Sequence, residues 1–447
     1  MTDAERDEAR AEQPGAVAVA GQPEGAAGAA EHIALTGAPE VMANSLSEYT
    51  RIWLRRVRSG ESGALPVIIG LVIIGAYFQI SEHAFLSAGN IANLMTQAGF
   101  LITFCMAQTF PLLLGEIDLS LGFNAGIGGT ITLWMVSVHS PYPTWAAIIV
   151  GIAVCAAIAG IEGLLIVWLR IPSFVVTLAG LLGLNGVLLW LFDQTGAVGN
   201  GGVIQNHNSF INDLVSENMS PAAGWIVLIA AVVVTGTYMI VRDRRRRTHN
   251  LVAPPISVTL LKIATMAVVG LVLVLVLNHN RGVGLTVLSG VPWVVPIVLG
   301  LYVVLNVLLG RTKFGRYVYA IGGNAEAARR AGINLRRIRV VAFALCGAMA
   351  GVTGILYASF LGSISNDIQG GQYVLYAVAG AVIGGVSLFG GRGRMLGALL
   401  GGFVVAVIYN GVDLLGLSAA AQYIWTALVL LAAVTLDALA RRGSTPT

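Results

Sequence analysis

Stretches of eighteen or more apolar residues recur along this chain between about residue 66 and residue 439, and that is the length a helix needs to cross a hydrocarbon layer of roughly 30 Å. Lipid offers no partner to backbone N–H and C=O groups, so a spanning segment satisfies them within a helix or closes them into a barrel. Barrel strands alternate apolar and polar residues over about ten positions, a pattern absent from the sequence. Composition points the same way: 56% of the 447 residues are hydrophobic and 11% are charged, where a soluble domain carries about a quarter charged. The sequence therefore predicts an all-α fold, a polytopic transmembrane helical bundle of roughly ten to twelve spans lying in the cell membrane.

The apolar runs place spans at 66–81, 91–113, 121–138, 145–168, 174–192 and 223–241, and then at 257–278, 292–309, 340–361, 373–389, 395–412 and 419–439. Glycines and polar residues interrupt the second, third, tenth and eleventh runs, where a half-crossing or re-entrant element is the alternative. Residues 51–442 make up the membrane domain. Residues 1–50, rich in Ala, Gly, Glu and Pro without apolar periodicity, read as a disordered cytoplasmic tail, and 443–447 as a short cytoplasmic tail. The first fifty residues carry no apolar core followed by a small-residue cleavage site, so the first span is the membrane address.

Positive charge sets the orientation, because Lys and Arg are retained on the cytoplasmic side. With both termini inside, 24 of the 26 basic residues fall in cytoplasmic segments. Arg281 is the one outside, and Lys262 lies within an apolar run. The loops at 82–90, 193–222, 278–291 and 362–372 then face the exterior. Loop arginines account for the net charge of +4, which implies no nucleic-acid partner.

Acidic residues next to a membrane segment are costly unless paired or hydrated. Glu116 and Asp118 stand two residues apart, so they do not share a helical face, and Gly115 and Gly122 suggest a turn around them. One reading has Asp118 or Ser120 capping the next helix; the other gives the two acids a part in passage or gating. Glu162, well inside the fourth run, either carries protons or pairs with an inward polar group. Gln97, Gln108, Asn124, Asn185 and Asn410 are amides on the spans that can donate to and accept from sugar hydroxyls, or equally bond neighbouring helices. Glycines four residues apart, at 122/126, 347/351, 380/384 and 397/401, allow close helix approach. Cys105, Cys155 and Cys346 lie in apolar runs without paired spacing and read as small buried hydrophobes.

Between Arg311 and Arg339, Asn324 is placed to cap a short helix that Gly332 ends. The stretch FGRYVYAIGGNAEAARRAGIN in this segment occurs with GEIDLSLG (Gly115–Gly122), IPSFVVTLAG (Ile171–Gly180) and GGVSLFGGRGRMLGALLGG (Gly384–Gly402). With these motifs in this order, the chain resembles, from about Leu65 to Asp437, the permease subunits of the ribose and xylose class of bacterial ABC importers. RRRRTHNLVAPP, followed by a span and NHNRGVG, is similar to the xylose permeases in particular.

The resemblance implies a permease domain over 51–442 that moves a monosaccharide, a pentose such as D-xylose, by alternating access. It implies that 311–339 is a cytoplasmic coupling loop docking an ATP-binding subunit through Asn324, Glu326, Ala327, Arg329, Gly332 and Ile333. An extracytoplasmic sugar-binding protein and a second permease copy, forming a homodimer in membrane lipid, are the other partners it implies. Glu162 stands where the resembled permeases carry Asn before Gly.

The chain has no device of its own for ATP. A Walker loop needs a Gly-Lys pair, and the two lysines follow Leu261 and Thr312. Metalloprotease, nucleophile-elbow and zinc-site spacings are also missing, so no catalytic residue, metal or cofactor is expected and the chain is not an enzyme. The alternative is a stand-alone secondary sugar transporter or facilitator coupled through Glu162 or Asp118. Its halves would show corresponding broken helices, and no such self-similarity is visible.

Overall fold

The computed structural model of the chain describes residues 65–137, 142–197, 201–249, 253–282 and 287–418, with residue 51 and scattered positions between 420 and 435. The expected tails at 1–50 and 443–447, and most of the twelfth run at 419–439, lie outside the described residues. In chain order the elements are α1 (Leu65–Ser81), α2 (Ala88–Leu113), α3 (Leu121–Met135), α4 (Thr144–Leu169), α5 (Ser173–Gln194), β1 (Val203–Gln205), α6 (Ser209–Ser216), α7 (Pro221–Thr248) and α8 (Ile256–Leu277). Then come α9 (Val294–Arg311), α10 (Lys313–Gly323), α11 (Ala325–Arg330), α12 (Leu335–Leu361), β2 (Ser363–Ser365), α13 (Gly370–Ile383) and α14 (Met395–Leu414).

Each of the first eleven apolar runs lies on a described helix. Eight of the described helices, α2, α4, α5, α7, α8, α9, α12 and α14, are long and apolar enough to cross a membrane. In each interrupted pair one member is full length and one is short: α2 has 26 residues against 15 for α3, and α14 has 20 against 14 for α13. At 1.5 Å per residue a 14- or 15-residue helix reaches only about 20 Å. The tenth run, expected to continue to 389, ends at Ile383 because Gly384 and the left-handed Gly385 (φ 85°) terminate it. Conversely, α7 continues past 241 to Thr248 through its arginines, since helix geometry does not stop where hydropathy does.

The chain divides into two units, one comprising 1–57 and 238–262, the other 58–237 and 263–447. In the first, buried Asp243 accepts from Arg242 Nε at 2.9 Å and from Thr259 Oγ1 at 2.7 Å, and Arg247 Nη2 donates to the Pro254 carbonyl at 2.6 Å. These bonds fasten the arginine-rich end of α7 to the start of α8.

The second unit is a helical bundle. Its interior helices are α2, α12 and α14, while little of α5 and α9 is buried. The exposed helices are the more uniformly apolar, which suits lipid as their solvent. Packing in lipid favours small residues at crossings, and the glycine pairs mark them. Gly347 and Gly351 of α12 lie directly on Cys155 and Ile152 of α4, and Gly380 of α13 and Gly384 at its end face Gly401 and Gly397 of α14.

Contacts between loops also sort by side. At the end assigned to the exterior, β1 and β2 pair antiparallel with Ile204 opposite Ile364. This short ladder, an addition to the expected all-α fold, joins the 193–222 loop to the 362–372 loop. Ser359 Oγ tucks α6 against α12 by donating to Asn212 O and accepting from Val215 N, at 3.0 and 3.1 Å. Arg281 is a staple there: it donates to the carbonyls of Leu277 and Gly290 and to Asn218 Oδ1.

Candidate functional site

The 311–339 segment, expected to be a coupling loop, is largely helical. Thr312 Oγ1 accepts from Gly315 N at 3.2 Å and starts α10, a helix unforeseen in the sequence whose Gly315, Val318 and Ile321 are buried. Asn324 then caps α11 as expected, its Oδ1 accepting from Ala327 N at 2.9 Å, and the left-handed Gly332 (φ 80°) ends that helix. Asn334 caps α12 in the same way, accepting from Arg337 N at 3.1 Å. Within α11, Glu326 accepts from Arg329 at 2.8 and 3.0 Å and from Arg330 at 3.2 Å. Arg329 first, and Arg330 with it, hold the Glu326 carboxyl below the usual carboxylate range. Asn324, Glu326, Ala327, Arg329 and Gly332 are exposed and Ile333 is half-buried, so the α11 turn presents a free polar surface.

This surface stands on a junction that gathers all four motifs. Tyr319 of α10 donates to the Gly393 carbonyl at 2.9 Å, and Gly391 N donates to the Leu113 carbonyl at the end of α2 at 2.9 Å. Gly322 lies against both Leu113 and Gly391, leaving no room for a side chain. GEIDLSLG begins two residues beyond Leu113. Thr177, in the IPSFVVTLAG segment, donates to the Ile117 carbonyl at 3.1 Å.

Behind the junction lies a buried polar chain. The Gln108 amide, oriented to suit both partners, donates to Asp118 O and accepts from Asp118 N, each at 3.1 Å. Asp118 Oδ1 accepts from Ser120 N at 2.9 Å and from Ser120 Oγ at 2.7 Å, while Cys346 Sγ of α12 donates to Asp118 Oδ2 at 3.6 Å. Ser120 Oγ also lies 2.8 Å from Glu162 Oε2, so one hydroxyl hydrogen stands between two carboxyl groups. Glu162 Oε1 rests over Gly180 and has no hydrogen-bond partner. Asp118 thus accepts amide hydrogens at the start of α3, whereas Ser120 makes no side-chain cap. Asn124 donates to Cys155 O and accepts, at its carbonyl, from Cys155 Sγ, both at 3.1 Å. Glu116 belongs to a different contact, with Oε1 2.8 Å from Arg339 Nε.

The remaining amides separate. Asn410 and Asn90 are buried and exchange side-chain hydrogen bonds at 2.8 and 3.1 Å, so Asn410 joins α14 to α2. Asn410→Ala is expected to destabilise the protein by about 1 kcal/mol. Asn90→Ala with Asn410→Ala should cost less than the sum of the single changes when unfolding is measured in detergent. Gln97 is buried with Oε1 unpartnered. Asn185 is half-buried on α5.

A cluster of aromatic hydroxyls was invisible in the sequence, where its members lie far apart. Tyr373 of α13 stacks on Phe104 (centroids 5.7 Å apart, planes at 10°) and meets Phe100 and Tyr357 edge-on at 5.7 and 5.2 Å. Tyr373 Oη donates to Tyr357 Oη at 3.3 Å, Gln372 donates to Tyr376, and Tyr423 Oη donates to Gln372 Oε1 at 3.0 Å. The tyrosines combine apolar faces with hydroxyls, the pairing suited to a sugar's C–H and O–H surfaces. The one signal available was Gln372, Tyr373 and Tyr376 at helical spacing.

Among the described residues no group of His, Cys, Asp and Glu could hold a metal ion. The family model for the permease component of branched-chain amino acid transport systems matches residues 90–434. The chain belongs to this permease family. The permease is 32% identical over 376 residues to the xylose transport system permease protein of Haemophilus influenzae, covering 83% of this chain and 95% of the relative. It is 31% identical over 381 residues to the xylose transport system permease protein of Escherichia coli K12, covering 85% and 92%. With the ribose import permease protein of the same strain it shares 26% over 392 residues, covering 87% and 95%. These relatives bear out the resemblance to the ribose and xylose class. No solved structure matches the permease. Its family and its apolar helices make it a multi-pass cell-membrane protein and a transport component.

Proposed function

We propose that this permease is the membrane subunit of an ATP-binding-cassette importer that carries a monosaccharide, a pentose such as D-xylose, into the cell by alternating access. The observation that carries the reading is the junction itself. An exposed capped helix, α11, stands on α10, and α10 is pinned by Tyr319 and Gly322 to the end of α2 and the 387–394 turn. A push on α11 from a cytosolic ATP-binding subunit would therefore reach α2, α13 and α14 together, and α13 carries Tyr373 and Tyr376 of the aromatic hydroxyl cluster.

Rigid-body rocking of helices about such a fixed junction is the motion alternating access requires. Asn324, Glu326, Ala327, Arg329, Gly332 and Ile333 form the docking surface. An extracytoplasmic sugar-binding protein delivers the sugar at the opposite end, and a second permease copy completes the pathway. The pentose assignment rests on the xylose and ribose names of the relatives and on the clustered tyrosines. The polar chain of Gln108, Asp118, Ser120 and Glu162 fixes α2, α3 and α4 to one another and acts as the hinge's internal lock.

The test is to purify the tagged protein from its native membranes in mild detergent, identify what accompanies it, and measure ATP hydrolysis with xylose-loaded binding protein. A stoichiometric ATP-binding subunit with sugar-stimulated turnover is expected. A protein that emerges alone and carries xylose in liposomes without ATP contradicts the proposal.

A further inference from the structure

Beside the coupling junction is a cavity of about 600 Å³, lined by the 114–117 turn, the end of α4, the 170–174 link and Arg339 of α12. Clefts of this size take small polar molecules or headgroups. Two kinds of chemistry meet in it. On one wall, α5 begins at Ser173 with no side chain capping its first amides, a helix start that attracts anions. Next to it is Arg170, left-handed (φ 57°) and the only non-glycine residue with positive φ among the described residues. It is exposed, and its guanidinium makes no hydrogen bond or ion pair among the described residues.

On the other wall is a carboxylate. Glu116 is only 8% exposed, and while Oε1 lies 2.8 Å from Arg339 Nε, Oε2 has no hydrogen-bond partner. A buried carboxylate oxygen without a donor is a site waiting for one. A purely anionic ligand would meet Glu116, and a purely cationic one would meet Arg170, Arg339 and the start of α5. A ligand carrying both a phosphate and an N–H-bearing ammonium satisfies both walls.

The surroundings say where that ligand comes from. Trp168 and Leu169 on α4, and Phe174, Val175 and Leu178 on α5, are 77, 49, 55, 43 and 44% exposed beside the cavity. Apolar helix ends carrying a tryptophan next to arginines are what a membrane interface selects, and basic pockets between helices on the cytoplasmic side take lipid headgroups. We infer that this cavity holds the headgroup of an aminophospholipid, phosphatidylethanolamine, with its phosphate at Arg170 and the start of α5, its ammonium at Glu116, and its acyl chains along α4 and α5.

The inference does not depend on which sugar is carried. It is tested by titrating the delipidated full-length protein in detergent with short-chain phosphatidylethanolamine, phosphatidylcholine and phosphatidylglycerol, and counting bound lipid by native mass spectrometry. Phosphatidylethanolamine should bind about tenfold more tightly than the other two, since phosphatidylcholine has no N–H to give Glu116 and phosphatidylglycerol has no cation. Glu116→Gln should erase the preference over phosphatidylglycerol. Arg170→Gln, which keeps a long side chain at the left-handed end of α4 and removes a guanidinium that pairs with no described residue, should weaken all three lipids and keeps the test decisive if the Glu116 variant does not fold. Equal binding of the three lipids by the natural protein overturns the inference, as does unchanged binding in Arg170→Gln. Displacement by free phosphoethanolamine at the same concentration also overturns it and assigns the cavity to a soluble ligand. Occupation only by an added acidic protein segment, with no lipid preference, does the same.

Discussion

Glu326→Lys is expected to cut sugar uptake at least about tenfold while the protein reaches the membrane in normal amount. The carboxylate sits on an exposed turn and holds both Arg329 and Arg330, so a lysine there turns a paired surface into three adjacent positive charges. Exposed ion pairs contribute little to folding, and no other described side chain leans on Glu326. The bundle should not notice the change. A docking partner would, because like charges set against an interface act on recognition far more than on the fold. Arg329→Glu should behave in the same way. Uptake of labelled xylose by cells, with the membrane fraction quantified in parallel, reads both effects, and normal uptake in either variant would remove α11 from the docking surface.

The second large effect concerns neighbouring glycines with different surroundings. A Cβ at Gly322 would collide with the Leu113 carbonyl and with Gly391, whereas at Gly323 nothing lies within 4 Å. Gly322→Ala should therefore cost about 3 kcal/mol by forcing α10 off the end of α2. Gly323→Ala should be neutral or slightly stabilising, since alanine is the better helix former by about 1 kcal/mol. Thermal unfolding in detergent separates the two, and equal behaviour would mean that α10 is not pinned at Gly322.

Much of this architecture could be read in the sequence because lipid imposes a simple rule. The run at 145–168 becomes α4 at Thr144–Leu169, and that at 395–412 becomes α14 at Met395–Leu414. Local chemistry was equally legible where it was self-contained: Asn324 capping α11 and Gly332 ending it need only neighbours in sequence. Hydropathy said nothing of α10, an 11-residue helix too short to register as a span, nor of where α13 ends, which glycine conformation decides.

The candidate site was legible only as separate motifs. Leu113, Gly322 and Gly391 are far apart in the chain, and their approach depends on glycine's missing side chain, a property no single motif reveals. Amides and acids were singled out by chemistry alone, and packing sorted them. Gln108, Asp118, Asn124 and Glu162 line one buried region, Asn410 pairs with Asn90, and Glu116 turns to Arg339. The tyrosine cluster escaped because hydroxyls on aromatic rings read as core.

Crosslinking reports whether an ATP-binding subunit docks on α11. Cys105, Cys155 and Cys346 are all buried and free, so a single cysteine introduced at exposed Ala327 would be the accessible thiol among the described residues. In the assembled complex, Ala327→Cys should crosslink to the ATP-binding subunit in high yield. Gln369→Cys, exposed at the opposite end, should not. A crosslink from position 369 and none from 327 would place the ATP-binding subunit away from α11.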